Sequence, residues 1–271
     1  MQQQERLRKL KYFALDMDGT IYLGQKLLPG AVEFLQYLKS SGRQYLFLTN
    51  NSSKNSQSYA KKLQGLGIPA SETDVMTSGD ATTLYLKSVK PGARVFLLGT
   101  PDLEHDFTRQ GFILTKEQPD YVVLGFDQTL TYAKLTEACH LVREGVPLIA
   151  THPDFNCPTD ERSGYMPDTG AILELIYAST GKRAKIIGKP NQEMIDALMT
   201  KLDCTRAETA MVGDRVYTDI KMAVNAGITG VLVLSGETKL ADLEHSDIQP
   251  NFIFDSVREL MAALKVADRT L

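Results

Sequence analysis

Short apolar runs rich in β-branched and aromatic residues alternate with amphipathic helical patterns along the whole chain. The apolar runs predict strands at Tyr12–Leu15, Tyr45–Leu48, Val75–Thr77, Val95–Leu98, Tyr121–Leu124, Leu148–Ala150, Lys185–Ile187, Ala210–Val212, Gly230–Leu234 and Phe252–Phe254. The helical patterns between them include Gly30–Ser40, Ser56–Leu66, Tyr132–Glu144, Asp168–Ser179, Gln192–Leu202 and Asp219–Asn225. This alternation is typical of parallel βαβ units. We therefore predict an α/β fold built on a doubly wound, Rossmann-like parallel sheet.

Polar segments directly follow four of the predicted strands. They are Asp16–Thr20, Thr49–Asn51, Gly188–Asn191 and Gly213–Arg215. In a doubly wound sheet, ligands bind in the crevice outside the carboxyl ends of the strands. We therefore expect the four segments to meet at one edge of the sheet, although they span most of the sequence.

The side chains in and near these segments are suited to the transfer of a phosphoryl group to a carboxylate. They include four carboxylates, a hydroxyl and an ammonium, on Asp16, Asp18, Asp214, Asp219, Thr49 and Lys189. An anionic nucleophile that attacks an anionic phosphate needs its charge neutralised, and Mg²⁺ with oxygen ligands can supply that charge. Asp16 and Asp214 would hold the cation. Thr49 and Lys189 would contact the transferring oxygens, and Asp18 would protonate the leaving group and later activate water.

The same segments resemble the four ordered motifs of the haloacid dehalogenase superfamily. The matching residues are Phe13–Thr20, Leu48–Asn51, Gly188–Pro190, and Val212–Arg215 with Thr218-Asp219. Within that superfamily, the Thr-Asn-Asn-Ser-Ser form of the second motif and the Gly-Asp-Arg-x-x-Thr-Asp form of the fourth are similar to the NagD-like, p-nitrophenylphosphatase branch.

The resemblance implies a role for each matching residue. Asp16 would be the nucleophile and a metal ligand, and Asp18 would be the acid/base and a metal ligand through its carbonyl. Thr49, Asn50 and Lys189 would bind the substrate, Asp214 would complete the metal ligands, and Asp219 would orient metal-bound water. The second Asp of the first motif speaks against a dehalogenase, because a halide leaves without a proton.

Motif spacing indicates an insertion between the second and third motifs. Thr49 and Lys189 are 140 positions apart, while a core helix–strand–helix segment needs roughly 40 residues. About 100 residues remain, which is enough for a small domain. We predict a core formed by residues 1–79 and 184–271 and an inserted α/β domain over residues 80–183. The resemblance implies a C2-type cap, which closes over the active site and excludes water.

The inserted region contains three candidate specificity residues. His152 and Asp154 lie in the loop His152–Asn156, which combines an imidazole, a carboxylate, a phenyl ring and an amide at a strand's end. Asp127 follows the predicted strand Tyr121–Leu124. Both substrate contact and loop scaffolding remain open for His152.

Composition and charge argue against several classes of binding partner. The chain has 43% hydrophobic and 23% charged residues, a formal net charge of -3 and no long basic run, which argues against a nucleic-acid partner. The polar N-terminus is followed by an apolar run too short for a signal peptide or a membrane span, so we expect a cytoplasmic protein without a membrane partner. Cys139, Cys157 and Cys204 lie far apart without a CxxC pair, which argues against disulfides and a zinc site.

Together these observations predict a Mg²⁺-dependent phosphoric monoester hydrolase that works through an aspartyl phosphate. Its substrate would be a small phosphorylated metabolite, such as a sugar phosphate or a nucleotide monophosphate, and the protein would act as a monomer or homodimer. A phosphotransferase or mutase of the same superfamily remains an alternative. A receiver-like signalling domain also uses an Asp, a hydroxyl and a Lys on a doubly wound sheet, but it needs neither the insertion nor Asp18.

Overall fold

The computed structural model describes residues 2–158 and 164–269. Within them, the strands are β1 Tyr12–Leu15, β2 Tyr22–Leu23, β3 Lys26–Leu27, β4 Gln44–Thr49, β5 Val75–Thr77, β6 Arg94–Leu98, β7 Ile113–Leu114, β8 Tyr121–Leu124, β9 Leu148–Ala150, β10 Asn156–Pro158, β11 Tyr165–Pro167, β12 Lys185–Ile186, β13 Thr209–Gly213, β14 Thr229–Val233 and β15 Phe252–Phe254. The helices are α1 Gln2–Lys9, α2 Ala31–Ser40, α3 Ser56–Gly65, α4 Ser78–Val89, α5 Pro101–Arg109, α6 Tyr132–Arg143, α7 Thr169–Thr180, α8 Gln192–Leu202, α9 Lys221–Ala226 and α10 Val257–Arg269. A π-helical turn covers Val216–Ile220, and short 3₁₀ turns cover Glu72–Asp74, Arg206–Glu208 and Leu240–His245.

These elements form two compact units. Among the described residues, the first unit comprises 2–48, 60–75 and 198–269, and the second comprises 49–59 and 76–197. The principal sheet has six strands in the order β15-β14-β13-β1-β4-β5. Counted along the chain, this is the order 3-2-1-4-5-6 of a doubly wound sheet, and the direction of winding reverses between β1 and β13.

The centre of this sheet is buried on both faces. Every residue of β13 and β14 is buried, as expected for parallel strands covered by helices on each side. The covering helices bury apolar residues at spacings of three and four, which puts those residues on one helical face. In α2 they are Ala31, Phe34, Leu35 and Leu38, and in α10 they are Val257, Leu260, Leu264 and Ala267.

The second unit is built on a five-stranded parallel sheet of its own. Its strand order is β12-β9-β8-β6-β7, and each neighbouring pair runs parallel. Residues of α6 and Ile176 of α7 pack with β8 and β9 in a common apolar cluster. An antiparallel hairpin of β10 and β11 also belongs to this unit.

The predicted α/β fold class is confirmed, with one difference in how the third motif is placed. The predicted strand at Lys185–Ile187 is observed as β12, which pairs with β9 in the five-stranded sheet. The third polar segment therefore follows a strand of the second sheet, whereas the other three follow strands of the six-stranded sheet. The expected helix at Asp219–Asn225 is a π-helical turn that continues into α9. No helix among the described residues is both long and apolar enough to cross a membrane.

Candidate active site

The first and fourth motifs lie at the point where the winding of the six-stranded sheet reverses. β1 and β13 are parallel neighbours in a register that pairs Leu15 with Val212. Asp16 follows β1 directly, and its backbone N–H donates to the Val212 carbonyl at 2.9 Å. Asp214 follows β13 directly. The strand order thus brings two carboxylates to the crevice where doubly wound folds bind ligands.

Three carboxylates form a cluster at this position. Asp16, Asp214 and Asp219 each offer an oxygen, and these oxygens lie within 4.8 Å of one another. Asp219 and Asp214 are buried, and Asp16 is partly buried. Because like charges at this distance repel strongly in a poorly solvated site, the cluster favours a bound cation.

Asp214 gives the clearest sign of a cation site. Its Oδ2 accepts from the Glu237 backbone N–H at 2.6 Å, whereas its buried Oδ1 has no hydrogen-bond partner among the described residues. Burial, followed by the negative charge of Asp219, raises the pKa of Asp214 to about 7. A hard divalent cation such as Mg²⁺ binds carboxylate oxygens. The Asp214 Oδ1, which accepts no hydrogen bond from a described residue, and the two neighbouring carboxylates could serve as such ligands. The residues present therefore fit the predicted metal.

Two glycines allow the backbone to approach Asp214 closely. A Cβ on Gly19 would lie 2.5 Å from Asp214 Oδ2, and a Cβ on Gly236 would lie 2.0 Å from the same atom. Gly19 also has a φ of 84°, which side chains disfavour. Its N–H donates to the Tyr22 carbonyl at 2.8 Å, so the chain turns back immediately after the exposed Asp18.

The fourth motif is shaped by contacts of Asp219. Its Oδ2 accepts from the Arg215 backbone N–H at 3.1 Å. A Cβ on Gly213 would lie 2.3 Å from the Asp219 carboxylate, so only glycine permits this packing. The π-helical turn at Val216–Ile220 carries Asp219 back toward the end of β13. The sequence predicts a site role for Asp219 but none for Gly236 or Glu237. These two residues lie in a polar segment that follows β14, and that position could have marked them as candidates.

The second and third motifs meet in the second unit. Asn50 is 4% exposed and Lys189 is 2% exposed. The Asn50 Oδ1 accepts from the Lys189 backbone N–H at 2.8 Å, and its Nδ2 donates to the Lys189 carbonyl at 3.0 Å. Thr49 is the last residue of β4, and its Oγ1 accepts from the Asn51 N–H at 3.1 Å.

The candidate specificity residues have partners within the second unit. His152 is fully buried, with Nε2 2.9 Å from Asp168 Oδ1 and Nδ1 2.8 Å from Thr151 Oγ1. Asp154 Oδ1 accepts from Asn50 Nδ2 at 3.1 Å. These contacts give His152 and Asp154 internal roles, and their part in substrate choice stays a prediction.

Asp127 has different partners from those of His152 and Asp154. Its carboxylate accepts from the Thr129 N–H at 2.8 Å and pairs with Lys134 Nζ at 3.1 Å. The loop His152–Asn156 instead borders a cavity of about 110 Å³ in the second unit, which is lined by Pro153, Phe155, Gly170, Leu173, Glu174, Lys182, Arg183, Ala184 and Ile186.

Comparison with known proteins places the chain in a family. A model of haloacid dehalogenase-like hydrolases matches residues 13–113, and a HAD-hydrolase-like model matches residues 186–260. The acid sugar phosphatase of Staphylococcus saprophyticus is 35% identical over 260 residues, which cover 96% of this chain and 100% of that protein. The chain belongs to the haloacid dehalogenase-like hydrolases.

Solved structures place this hydrolase near the p-nitrophenylphosphatases. The 4-nitrophenylphosphatase of Thermotoga maritima is 46% identical with a TM-score of 0.92, over 96% of this chain and 99% of that one. The glycerol phosphate phosphatase of Mycobacterium tuberculosis, solved with calcium, is 29% identical with a TM-score of 0.87, over 94% of this chain and 76% of that one. The predicted superfamily, its NagD-like branch and the enzyme class of phosphoric monoester hydrolase are confirmed.

Proposed function

We propose that this hydrolase is a Mg²⁺-dependent phosphatase of small sugar phosphates, acting through an aspartyl phosphate on Asp16. The observation that carries the proposal is the cluster of Asp16, Asp214 and Asp219, in which the buried Oδ1 of Asp214 accepts no hydrogen bond from any described residue. The sugar phosphate is favoured over other phosphomonoesters because full-length relatives are named acid sugar phosphatases. Phosphatase relatives also favour hydrolysis over the phosphotransferase and receiver alternatives.

The carboxylates of the first motif would carry out the two chemical steps. Asp16 attacks phosphorus, and the leaving-group oxygen departs with a proton from Asp18. The Asp18 carboxylate then removes a proton from water as the water oxygen attacks the same phosphorus. Phosphate leaves and Asp16 is regenerated. When bound by Asp16, Asp214 and the Asp18 carbonyl, Mg²⁺ would neutralise charge at the nucleophile and the phosphate.

Residues of the second and third motifs would bind the phosphoryl group while it is transferred. The Lys189 ammonium would offset the charge of the phosphoryl oxygens, and the Thr49 hydroxyl would donate to one of them. Asp219 holds the fourth motif in place through its contact with the Arg215 N–H.

The inserted cap over residues 80–183 is also a proposal. It is supported by the separate five-stranded sheet, whose strands β6 to β9 all lie in that range. His152 and Asp127 remain proposed specificity residues of this domain, whereas the contact of the third candidate, Asp154, with Asn50 favours a positioning role. The protein would be located in the cytoplasm and would act as a monomer or a homodimer.

The replacement Asp16→Asn tests the nucleophile. The amide is neither a nucleophile nor an anionic ligand, so turnover of p-nitrophenyl phosphate with Mg²⁺ should fall more than 100-fold, or by about 3 kcal/mol of transition-state stabilisation. Acid-quenched protein should also lose the covalent phosphate label that the wild type retains from a labelled sugar phosphate. Asp247→Asn, at an exposed position of the same unit, is the control. Activity of the Asp16 variant above a hundredth of wild type would contradict the assignment.

A further inference from the structure

One buried side chain holds both backbone polar groups of Lys189. The Asn50 Oδ1 accepts from the Lys189 N–H at 2.8 Å, and the Asn50 Nδ2 donates to the Lys189 carbonyl at 3.0 Å. The two residues are 139 positions apart in sequence. A long-range pair of bonds to one residue fixes both the position and the rotation of its peptide units.

Asp154 sets the orientation of the Asn50 amide. Its Oδ1 accepts a second bond from Asn50 Nδ2 at 3.1 Å. With the amide turned over, the oxygen would face a carboxylate and a carbonyl, and the NH₂ would face an N–H. Asn50, Asp154 and Lys189 are all buried, so water cannot readily replace a lost bond, and each unpaired group would carry its full desolvation cost.

The surrounding backbone is shaped to admit this arrangement. A Cβ on Gly188, the residue before Lys189, would lie 2.7 Å from Asn50 Oδ1 and 2.5 Å from the Thr151 carbonyl. The Asn50 carbonyl in turn accepts a hydrogen bond from Ser78 Oγ. Both sides of the contact between Asn50 and Lys189 are therefore fixed by neighbours in the second unit.

We propose that Asn50 is a positioning residue, which holds the Lys189 backbone so that the Lys189 ammonium is aimed at the transferring phosphoryl group. Asp154 acts on Lys189 indirectly, because it orients the Asn50 amide. The inference rests on the proposed role of Lys189, and it differs from the direct substrate contact that the sequence predicts for Asn50.

The replacement Asn50→Ala should therefore lower kcat more than it raises KM. A displacement of about 1 Å at a catalytic group can cost on the order of 100-fold, so we expect a 10- to 100-fold loss of kcat. The loss should be the same for p-nitrophenyl phosphate and for an alkyl phosphate, because Lys189 acts on the transferring group and not on the leaving group.

A double-mutant cycle with Lys189→Ala separates positioning from the other roles. If Asn50 acts through Lys189, Asn50→Ala should cost less than about 3-fold in kcat when Lys189 is already Ala. Actions of the two residues that are independent of each other, or a general loss of folded structure, would give losses that multiply. Multiplying losses would overturn the inference.

The cycle also distinguishes this inference from the proposed function. If Lys189→Ala leaves kcat unchanged, the role of Lys189 in the proposed function fails. If Lys189→Ala lowers kcat and the losses multiply, only the positioning role of Asn50 fails. Asn55→Ala is the matched control, because Asn55 is a buried Asn of the same segment whose Oδ1 accepts a local bond, from the Ser58 N–H at 2.9 Å.

A charge-swapped pair keeps the test decisive if Asn50→Ala does not fold. Asn50→Asp places a second carboxylate against Asp154 and against the Lys189 carbonyl. Adding Asp154→Asn restores a donor between the two side chains, so the double variant should recover at least about 3-fold of the kcat lost in Asn50→Asp. Absence of recovery would contradict the inference. Asp154→Ala alone should lower turnover of all phosphate esters equally, whereas a specificity role would change their ratio.

Discussion

At the scale of single residues, the ionised Asp214 carboxylate is costly to bury, and the proposed metal site would offset that cost. Its burial and the nearby Asp219 raise its pKa to about 7 from the ordinary value of 3.8. A carboxyl with a raised pKa stabilises the folded protein at low pH, where it is protonated, and loses that contribution as the pH rises through the folded pKa. A bound cation would offset the cost of the ionised form.

This gives a prediction for the metal-free protein. Its melting temperature should fall as the pH rises from about 4 to about 7, the interval between the ordinary and the folded pKa of Asp214, with on the order of 4 kcal/mol of stability at stake. Asp214→Asn removes the titration, so the variant in chelator should show a flatter profile and melt above wild type at pH 8. Mg²⁺ should raise the melting temperature of wild type at pH 8 and not that of the variant. Parallel profiles in chelator, or an equal response to Mg²⁺, would count against the cation site.

The clustering of Asp16, Asp214 and Asp219 could be predicted because these carboxylates lie in short motifs that are recognisable in the sequence. Asp16 and Asp214 each follow an apolar strand, and parallel strands bring such positions to one edge. The hydrogen bonds of Asn50 could not be predicted, because its partners Asp154 and Lys189 are distant in sequence and no local pattern specifies them. The burial of His152 was equally hidden, since its partner Asp168 lies beyond an intervening hairpin.

At the scale of elements, an ion pair joins the helix α10 to Arg43, the residue that precedes β4. Arg43 donates from Nη1 to Asp268 Oδ2 at 2.8 Å and from Nη2 to Oδ1 at 2.7 Å. Its Nε donates to the Leu10 carbonyl at 3.0 Å, next to the start of β1. The Arg43 side chain is only 6% exposed, so its charge depends on Asp268 for compensation.

We expect Asp268→Asn to destabilise the protein by about 1–3 kcal/mol at pH 7, because it leaves a buried guanidinium without its counter-charge. The Arg43 guanidinium lowers the pKa of Asp268 below its ordinary 3.8. This stabilisation is therefore present above pH 4 and is lost as the pH falls through the folded pKa. Urea unfolding should show a gap between wild type and variant at pH 7 that narrows at pH 3. The gap should be absent at both pH values for the exposed control Asp247→Asn, and phosphatase activity should persist in both variants.

Element positions were predictable where a strand or helix is long enough to show a continuous apolar run or a helical period. β13 and β14 are five buried residues each, and the run of apolar residues marks them. β12 has two residues, and nothing in its local pattern says whether it joins the first sheet or the second. The two hairpins, β2 with β3 and β10 with β11, are also too short to be periodic. Their pairing is decided by the surrounding tertiary structure.

At the scale of the whole molecule, the spacing of the motifs predicts an insertion, but the sequence does not predict the order of the strands in the sheet. The alternation of strands and helices indicates a doubly wound sheet, but several strand orders share that alternation. The observed order places the reversal between β1 and β13, and this explains why the first and last motifs supply the same acidic cluster.

The last prediction concerns where substrate choice resides. The acidic cluster lies in the first unit, whereas the loop His152–Asn156 lies in the second. Within that loop, His152 and Asp154 are buried, while Phe155 is 55% exposed and borders the cavity of the second unit. An exposed aromatic side chain beside a cavity suits contact with a variable leaving group more than support of the fold.

We therefore expect Phe155→Ala to change the ratio of kcat/KM between a small and a large sugar phosphate by about 10-fold, or ~1.4 kcal/mol. Turnover of p-nitrophenyl phosphate should stay within about 3-fold of wild type, because the residues proposed to act on the phosphoryl group are unchanged. Ile113→Ala is the control, since Ile113 is another exposed apolar residue of the same unit, on β7 at the far edge of the sheet. It should leave the ratio unchanged. If Phe155→Ala lowers turnover of every ester by the same factor, the loop supports the fold and specificity must be sought elsewhere in residues 80–183.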